Sequence, residues 1–201
     1  VEQMDHPELK GKPVIVGGDP NGRGVVSAAS YEARKYGIHS AMPMKQDKRK
    51  CPDAVFLPVR MSRYSEISKK IRQIFYDYTP IVEPLSVDEA FIDVTDSTDL
   101  FGSAIDIGKE IKKRIKQEIG LTASVGIAPN RFLAKLGSDL DKPDGFVVIT
   151  DQNKQKILDP LSVSRIYGVG KVTEKHLKEA GIKTIKQLRE TTLYLLKNIV
   201  G

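Results

Sequence analysis

Apolar and polar positions along this chain form short blocks whose period changes several times. Runs of apolar and small residues, each of strand length, occur at residues 14–16, 54–59, 90–94, 122–128 and 146–149. Between them, apolar residues recur at helical spacing, most clearly over residues 61–78 and 103–118. Such runs predict buried strands, and the helical stripes predict helices that pack on them. The pattern therefore predicts an α+β fold.

The order of these elements predicts a topology. Their succession predicts a mixed or antiparallel βαββαβ-like sheet with helices on one face. Residues 19–77 are predicted to form a small α/β unit inserted near the start of the sheet. Within it, residues 20–22 are predicted to form a turn, and residues 44–50 a short polar helix with a solvated face. From residue 164 onward, two helices joined through a glycine-containing hairpin predict an all-α unit.

Two adjacent acids, Asp88 and Glu89, stand at the start of the apolar run at 90–94. Desolvating a carboxylate is costly unless it is neutralised, and a divalent cation such as Mg²⁺ prefers carboxylate oxygens. Adjacent residues on a straight strand point to opposite faces, so a shared site requires the backbone to turn there. Residues 83–86 supply the material for such a turn. The alternative interpretation is two solvated acids at a strand end.

A second candidate site lies at the start of a short helix that Gly37 ends. Ser30, Tyr31 and Arg34 follow a strand and two alanines. Ser30 and Arg34 are four residues apart and share a helix face, so a hydroxyl and a guanidinium converge near a helix N-terminus. This combination suits a phosphate. The alternative is a helix N-cap with a surface arginine beside it.

The third candidate site is the hairpin formed by Gly168, Val169 and Gly170, followed by Lys171. A Gly-x-Gly hairpin between two helices exposes backbone N–H groups that can hold a phosphate oxygen without reading bases. Residues 164–201 carry 8 Lys/Arg against 3 Asp/Glu. This local excess favours nucleic acid as the partner, because phosphate backbones attract basic side chains.

Composition restricts the function classes further. The whole chain of 201 residues has a formal net charge of +6 and an isoelectric point of about 9.2, a weak indication of nucleic-acid binding. Cys51 is the only cysteine, which excludes an internal disulfide and fits a reducing cytosol. No apolar stretch reaches membrane-spanning length. These features predict a cytoplasmic protein without a membrane anchor.

Five segments together carry a resemblance to a known family. In family order and at family spacing they are residues 29–37, 40–43, 86–91, 142–145 and 168–170. The chain resembles the Y-family translesion DNA polymerases, and within them the DNA polymerase IV branch. The resemblance implies a palm at residues 1–18 and 78–163, fingers at 19–77 and a helix-hairpin-helix thumb at 164–201.

The resemblance also implies a low-fidelity, two-metal nucleotidyl transfer that extends a primer across damaged template. Two Mg²⁺ ions per active site are implied, with Asp88 and Glu89 as metal-binding and catalytic residues. The residues implied to bind the incoming deoxynucleoside triphosphate are Ser30, Tyr31, Arg34 and Lys142. Those implied to bind primer-template DNA are Gly168, Gly170 and Lys171.

Some family features are expected outside the chain. A first strand with another metal-binding aspartate and an aromatic steric gate is expected before Val1. A DNA-gripping little finger domain, and beyond it the contact with a sliding clamp, are expected after Gly201. Two carboxylates of three make a poor two-metal cage, so the chain alone is expected to be inactive or nearly so. The polar segment 44–47 departs from the family's usual fingers helix.

Two other functions remain open from the residues themselves. The first is a non-catalytic DNA-binding module that keeps the hairpin and lacks chemistry. It would show no Mg²⁺-dependent affinity for a deoxynucleoside triphosphate. The second is a nucleotide cyclase with a palm-like sheet. It would form a cyclic product without template, and it would leave the basic hairpin unexplained.

Overall fold

A computed structural model describes residues 1–19 and 23–200. The turn predicted at residues 20–22 therefore lies outside the described residues. The chain divides into two compact units, here called unit 1 (Val1–Gln73 with Ser86–Asp88) and unit 2 (Ile74–Leu85 with Glu89–Gly201). In the part of the chain that the structure describes, no helix is both long enough and apolar enough to span a bilayer.

Unit 1 is built around a three-stranded sheet. Its elements are α1 (Glu2–Asp5), β1 (Val14–Gly17), β2 (Val26–Ala29), α2 (Tyr31–Arg34), α3 (Met44–Lys50), β3 (Val55–Pro58) and most of α4 (Met61–Tyr76). β1 pairs antiparallel with β2 and parallel with β3, which gives the strand order β2-β1-β3. All four residues of β1 are buried. The buried strand predicted at residues 14–16 is thus confirmed.

The short polar helix predicted at residues 44–50 is confirmed, and most of α3 is solvated, but one side of the helix is buried. Met44 and Asp47, one turn apart on this helix, are both fully buried. Met44 belongs to the core cluster around Ile15, and a Cβ on Gly17 of β1 would lie 2.7 Å from its sulfur. Glycine at position 17 therefore lets the helix pack against the strand. The exposed residues of α3 are the charged and amide side chains that flank these two.

An ion-pair cluster joins α1 to the start of α4. Arg60 binds both carboxylate oxygens of Glu2 and also contacts Asp5 at 2.7 Å, while Arg63 binds Asp5 at 2.8 Å. Hydrogen bonds from Arg63 and Arg60 hold the pKa of Asp5 well below its ordinary value. Burial alone would raise the pKa of Glu2, but hydrogen bonds from Arg60 and Tyr64 outweigh it and lower that pKa. Both carboxylates are thus charged and paired, which fixes α1 on α4.

Unit 2 carries the remaining strands and helices. They are β4 (Val82–Pro84), β5 (Ala90–Ile92), α5 (Thr98–Phe101), α6 (Ala104–Arg114), β6 (Val125–Ile127), α7 (Arg131–Leu140), β7 (Phe146–Val148), α8 (Lys154–Leu158), α9 (Lys171–Glu179), α10 (Ile185–Glu190) and α11 (Leu193–Val200). β4 pairs antiparallel with β5, and β6 pairs parallel with β7.

The α+β class is confirmed, but the strands are arranged differently from one βαββαβ-like sheet. Among the described residues they form a three-stranded ladder and two separate two-stranded ladders. The four strands of unit 2 are three residues long, so each offers few ladder bonds. β5, β6 and β7 are half-buried, and β4 is mostly exposed. The apolar run at 90–94 is therefore a short, partly exposed strand, not the buried strand that the sequence predicted.

The helical predictions in unit 2 hold closely. Ile107, Ile111 and Ile115 are buried at helical spacing, and α6 continues as a π-helical turn to Ile119 before left-handed Gly120. Asn130 caps α7 by accepting a hydrogen bond from the Leu133 N–H at 3.0 Å.

In the last part of the chain, α9 to α11 enclose a small core. Its members are Val163, Leu177 and Ile182, with Val169, Leu188, Leu196 and Ile199 packed on them.

Candidate active site

The two candidate carboxylates lie in the turn of the β4–β5 hairpin. Val82 pairs with Ile92 and Pro84 with Ala90, and the Leu85 N–H donates to the Glu89 carbonyl at 2.9 Å. The backbone therefore turns between the two strands, as the sequence argument required. The Ser86 hydroxyl donates to Asp88 Oδ1 at 2.7 Å, and its oxygen accepts from the Asp88 N–H at 3.3 Å. Asp88 is exposed, and its side chain is oriented by this local bond.

Glu89 belongs to a line of four alternating charges, which also includes Lys135 and Asp139 of α7 and Lys142. Lys135 Nζ lies 2.7 Å from Glu89 Oε1 and 2.9 Å from Asp139 Oδ2. Lys142 Nζ lies 2.6 Å from Asp139 Oδ1 and 3.9 Å from Glu89 Oε1. The Lys135 side chain is 13% exposed, whereas the other three are a third or more exposed. The structure therefore brings the predicted residues Glu89 and Lys142 together around Asp139 and Lys135.

The line of charges also shifts the ionisation of its members. Burial alone would lower the pKa of Lys135, but hydrogen bonds to Glu89 and Asp139 outweigh it, so the pKa lies above its ordinary value. Burial would likewise raise the pKa of Asp139, yet the bonds from Lys142 and Lys135 bring that pKa below its ordinary value. Both shifts keep the two groups charged near neutrality.

Lys135 and Asp139 are site residues that the sequence argument missed. Their signal was present, because a lysine beside the apolar stripe of α7 stands four residues before an acid. The partner of this pair is Glu89, 46 residues away from Lys135 in the chain. Helical spacing predicts the pair on α7, but only the folded chain identifies its third member.

The second predicted group lies at the start of α2. The Ser30 hydroxyl accepts from the Val14 N–H at 3.1 Å and the Ala33 N–H at 3.3 Å, and donates to the Lys12 carbonyl. It thus caps α2 and ties the helix to β1. The Arg34 guanidinium lies 5.0 Å from the ring centroid of Tyr31, which is 44% exposed. The two side chains that face solvent as a pair are therefore Tyr31 and Arg34.

The third predicted group forms the hairpin before α9. Gly168 has φ of +95°, a left-handed conformation that favours glycine, and Gly170 is the N-cap of α9. Among the described residues, and leaving aside the chain neighbours, no atom lies within 4 Å of where a Cβ on either glycine would stand, so the hairpin backbone is open to an approaching ligand. Lys171 begins α9 and is exposed. This geometry agrees with a phosphate-holding hairpin.

The donor set at Asp88 and Glu89 fits Mg²⁺ in its chemistry. Both side chains offer hard carboxylate oxygens, and Mg²⁺ is usually held by one or two carboxylates together with substrate phosphates and water. Among the residues that the structure describes, no three His, Cys, Asp or Glu side chains cluster as a complete ligand set. The residues present thus fit a cation that is shared with a polyphosphate.

Comparison with known proteins places this geometry in a family. The impB/mucB/samB family matches residues 1–139. A DNA polymerase IV of Clostridioides difficile (strain 630) is 55% identical over 199 residues, which cover 99% of this chain and 54% of that protein. A DNA polymerase IV of Alkalilimnicola ehrlichii is 53% identical over 201 residues, covering 100% of this chain and 57% of that protein.

Solved structures agree. The crystal structure of DinB from Sulfolobus solfataricus matches with a TM-score of 0.92 at 33% identity, over 100% of this chain and 59% of that one. An insertion ternary complex of Dbh DNA polymerase matches with a TM-score of 0.89 at the same identity and coverage. This chain spans about half the length of the curated relatives that it matches. The chain belongs to the impB/mucB/samB family and is a homologue of the Y-family DNA polymerase IV proteins.

Proposed function

We propose that this chain is the catalytic part of a DNA-directed DNA polymerase of the translesion type. The proposed substrates are primer-template DNA and a deoxynucleoside triphosphate, and a sliding clamp is a further proposed partner of the whole protein. Because the substrate is the cell's own DNA, the proposed compartment is the cytoplasm. The observation that carries the proposal is the pair of consecutive carboxylates in the turn of the β4–β5 hairpin, in a chain of this family.

In the proposed mechanism, Asp88 and Glu89 hold Mg²⁺, with two ions in the complete active site. Bound Mg²⁺ supplies charge that lowers the pKa of a primer 3′-hydroxyl and stabilises a leaving pyrophosphate. Lys135 holds the Glu89 carboxylate in place through their 2.7 Å contact. The hydrogen bond from Ser86 orients Asp88 in the same way.

The triphosphate is proposed to be bound by cationic and hydroxyl groups of this chain. Arg34 and Tyr31 form one exposed pair, and Lys142 is the second cationic group. Arg34 is oriented by donating from Nε to the Ala29 carbonyl at 3.1 Å, which leaves its terminal nitrogens available to phosphate oxygens. Ser30 remains a predicted contact, although in this structure its hydroxyl is engaged by backbone groups.

The proposed domains are a palm at residues 1–18 and 78–163, fingers at 19–77 and a thumb at 164–201. Contacts within the chain group residues 1–18 with the proposed fingers in unit 1. This grouping follows from the pairing of β1 with β2 and β3. The proposed thumb has its own small core around Leu177.

The function is tested with a protein of full family length. We would join this chain to the flanking segments of the Clostridioides difficile relative and measure primer extension with Mg²⁺ and all four deoxynucleoside triphosphates. Extension that requires template and Mg²⁺ supports the proposal. DNA binding without extension indicates the non-catalytic module instead. A cyclic product formed without template indicates the nucleotide cyclase.

The thumb is expected to bind duplex DNA through phosphates only. Affinity of the 201-residue chain should fall steeply with salt and vary little with DNA sequence. Lys171→Gln should weaken binding uniformly and reduce the slope of log K against log salt by about 1. The matched control is Lys156→Gln on α8, an exposed lysine outside the hairpin. A salt-independent affinity measured by fluorescence anisotropy would contradict the phosphate contact.

A further inference from the structure

Lys112 on α6 contacts a single turn with its whole ammonium group. Nζ donates to the backbone carbonyls of Asp144 and Gly145, and it lies 2.8 Å from the Asp144 carboxylate. A lysine ammonium has three N–H donors, and here three acceptors belong to two consecutive residues of one turn. The Lys112 side chain is 17% exposed, whereas the adjacent Lys113 is 58% exposed and pairs with Glu110 on its own helix. Lys112 is therefore held by a turn distant in the sequence, whereas Lys113 pairs with an exposed residue of its own helix.

The turn that Lys112 contacts connects α7 to β7. Asp144 has φ of +56°, in the left-handed region that non-glycine residues seldom adopt. A Cβ on Gly145 would lie 2.3 Å from the Asp141 carbonyl oxygen, so the chain folds back tightly on itself. Gly145 is held on its other side, because its N–H donates to the Ser124 hydroxyl at 3.1 Å and its carbonyl accepts from the Val125 N–H. Lys112 restrains the adjacent residue, Asp144, through that residue's carboxylate and carbonyl.

The same turn carries Lys142, two residues before Asp144. Lys142 Nζ lies 2.6 Å from Asp139 Oδ1 and 3.9 Å from Glu89 Oε1. Its backbone is thus fixed between the end of α7 and the residue that Lys112 holds. A point charge stabilises a polyphosphate only if it is presented at the right place, and residues that lock the supporting backbone determine that place.

We propose that Lys112 is a positioning residue that fixes the turn at residues 141–145 and thereby presents Lys142 to the incoming triphosphate. This inference rests on the proposed function, in which Lys142 contacts the triphosphate. Lys112 itself acts through its contacts with Asp144 and Gly145.

The test measures Mg²⁺-dependent binding of a deoxynucleoside triphosphate to the 201-residue chain by calorimetry. Lys112→Met keeps the aliphatic stem and removes the donors, and it should weaken binding about tenfold. Lys113→Met is the matched control on the same helix and should bind as the wild type does. Lys112→Arg retains donors and charge, and it should restore affinity to within about threefold. Unchanged affinity in Lys112→Met, where Lys142→Met binds weakly, would overturn the inference.

A double variant separates positioning from direct contact. If Lys112 acts through Lys142, Lys112→Met combined with Lys142→Met should bind no more weakly than Lys142→Met alone. Losses that add in the double variant would mean that Lys112 contacts the nucleotide independently, and the positioning role would be rejected. If Lys112 served only stability, Lys112→Met would lower the thermal midpoint, and its effect on nucleotide binding would not depend on Lys142.

Amide hydrogen exchange distinguishes failure of the inference from failure of the proposed function. Lys112→Met should accelerate exchange of the Gly145 amide about tenfold or more, while Lys142→Met leaves it unchanged. If Lys142→Met does not weaken nucleotide binding, the proposed role of Lys142 fails, and the exchange rate alone decides whether Lys112 anchors the turn. If Lys112→Met does not fold, Asp144→Asn weakens a single acceptor and should give the same coupling with a smaller loss.

Discussion

Replacing Asp88 with alanine in the protein of full family length is expected to slow Mg²⁺-dependent primer extension by about a thousandfold or more. A metal ion in such a site contributes several kcal/mol of charge stabilisation to the transition state, and about 1.4 kcal/mol corresponds to a factor of ten in rate. Asp88 is exposed in the hairpin turn and oriented by Ser86, so its carboxylate is presented for binding an ion. Its replacement would remove a proposed metal ligand without disturbing a packed core.

The fold should survive this substitution, so a loss of primer extension can be distinguished from a loss of stability. The thermal midpoint of Asp88→Ala, and its affinity for duplex DNA through the proposed thumb, should equal those of the wild type. Asp96→Ala is the matched control, because Asp96 is an exposed acid eight residues downstream and outside the proposed site. Primer extension is measured in single-turnover experiments over a range of Mg²⁺ concentrations. An Asp88→Ala protein that extends primers as fast as Asp96→Ala does would remove Asp88 from the proposed metal site.

Glu89 is expected to respond differently, because the structure gives it a second role. Its carboxylate balances Lys135, whose side chain is 13% exposed and whose other close carboxylate is Asp139. Replacing Glu89 is therefore expected to leave a largely buried cation with fewer partners, so that stability falls together with the proposed activity. Asp88 and Glu89 are neighbours in sequence, but they lie in different electrostatic surroundings.

Local sequence signals predicted the elements whose formation depends on near neighbours. The isoleucines of α6 recur at the helical spacing that predicted a helix over residues 103–118, and Ile107 and Ile111 are buried. The turn at Ser86–Asp88 follows the same logic, since two adjacent acids could not share a face of a straight strand. The Ser30 cap was also present as the alternative interpretation of its motif.

What the sequence could not predict depends on partners distant in the chain. Lys135 and Glu89 are 46 residues apart, and Lys112 and Asp144 are 32 residues apart, so neither contact leaves a periodic signal. The burial of α3 is the same kind of case. Its seven residues include a single apolar side chain, and only the space beside Gly17 explains why Met44 is buried. The polar pattern of α3 predicted a solvated helix face, but packing against a neighbouring strand buries the side of the helix that carries Met44.

Replacing the buried Asp47 of α3 with alanine is expected to stabilise unit 1 at pH 7 by about 1–2 kcal/mol. Asp47 is fully buried, and neither carboxylate oxygen has a hydrogen-bond partner among the described residues. Burial raises the pKa of Asp47, and the charges of Lys50 and His39 oppose this shift only in part. An unsatisfied buried acceptor costs about 1–3 kcal/mol. Its position in the first turn of α3 offsets a few tenths of this amount through the helix dipole.

The advantage of alanine at position 47 should depend on pH in a defined direction. Because the pKa of Asp47 is higher in the folded state than its ordinary value near 3.8, the folded chain keeps the proton longer as pH rises. Wild-type stability therefore falls as pH rises from the ordinary pKa to the raised one, and then levels off. Asp47→Ala should exceed the wild type above that window and lose this advantage below about pH 4. Hydrogen exchange of the α3 amides at several pH values measures this, with exposed Gln46→Ala as the control for helix propensity. If Asp47→Ala is less stable than the wild type at pH 7, the buried carboxylate has a partner that stabilises it.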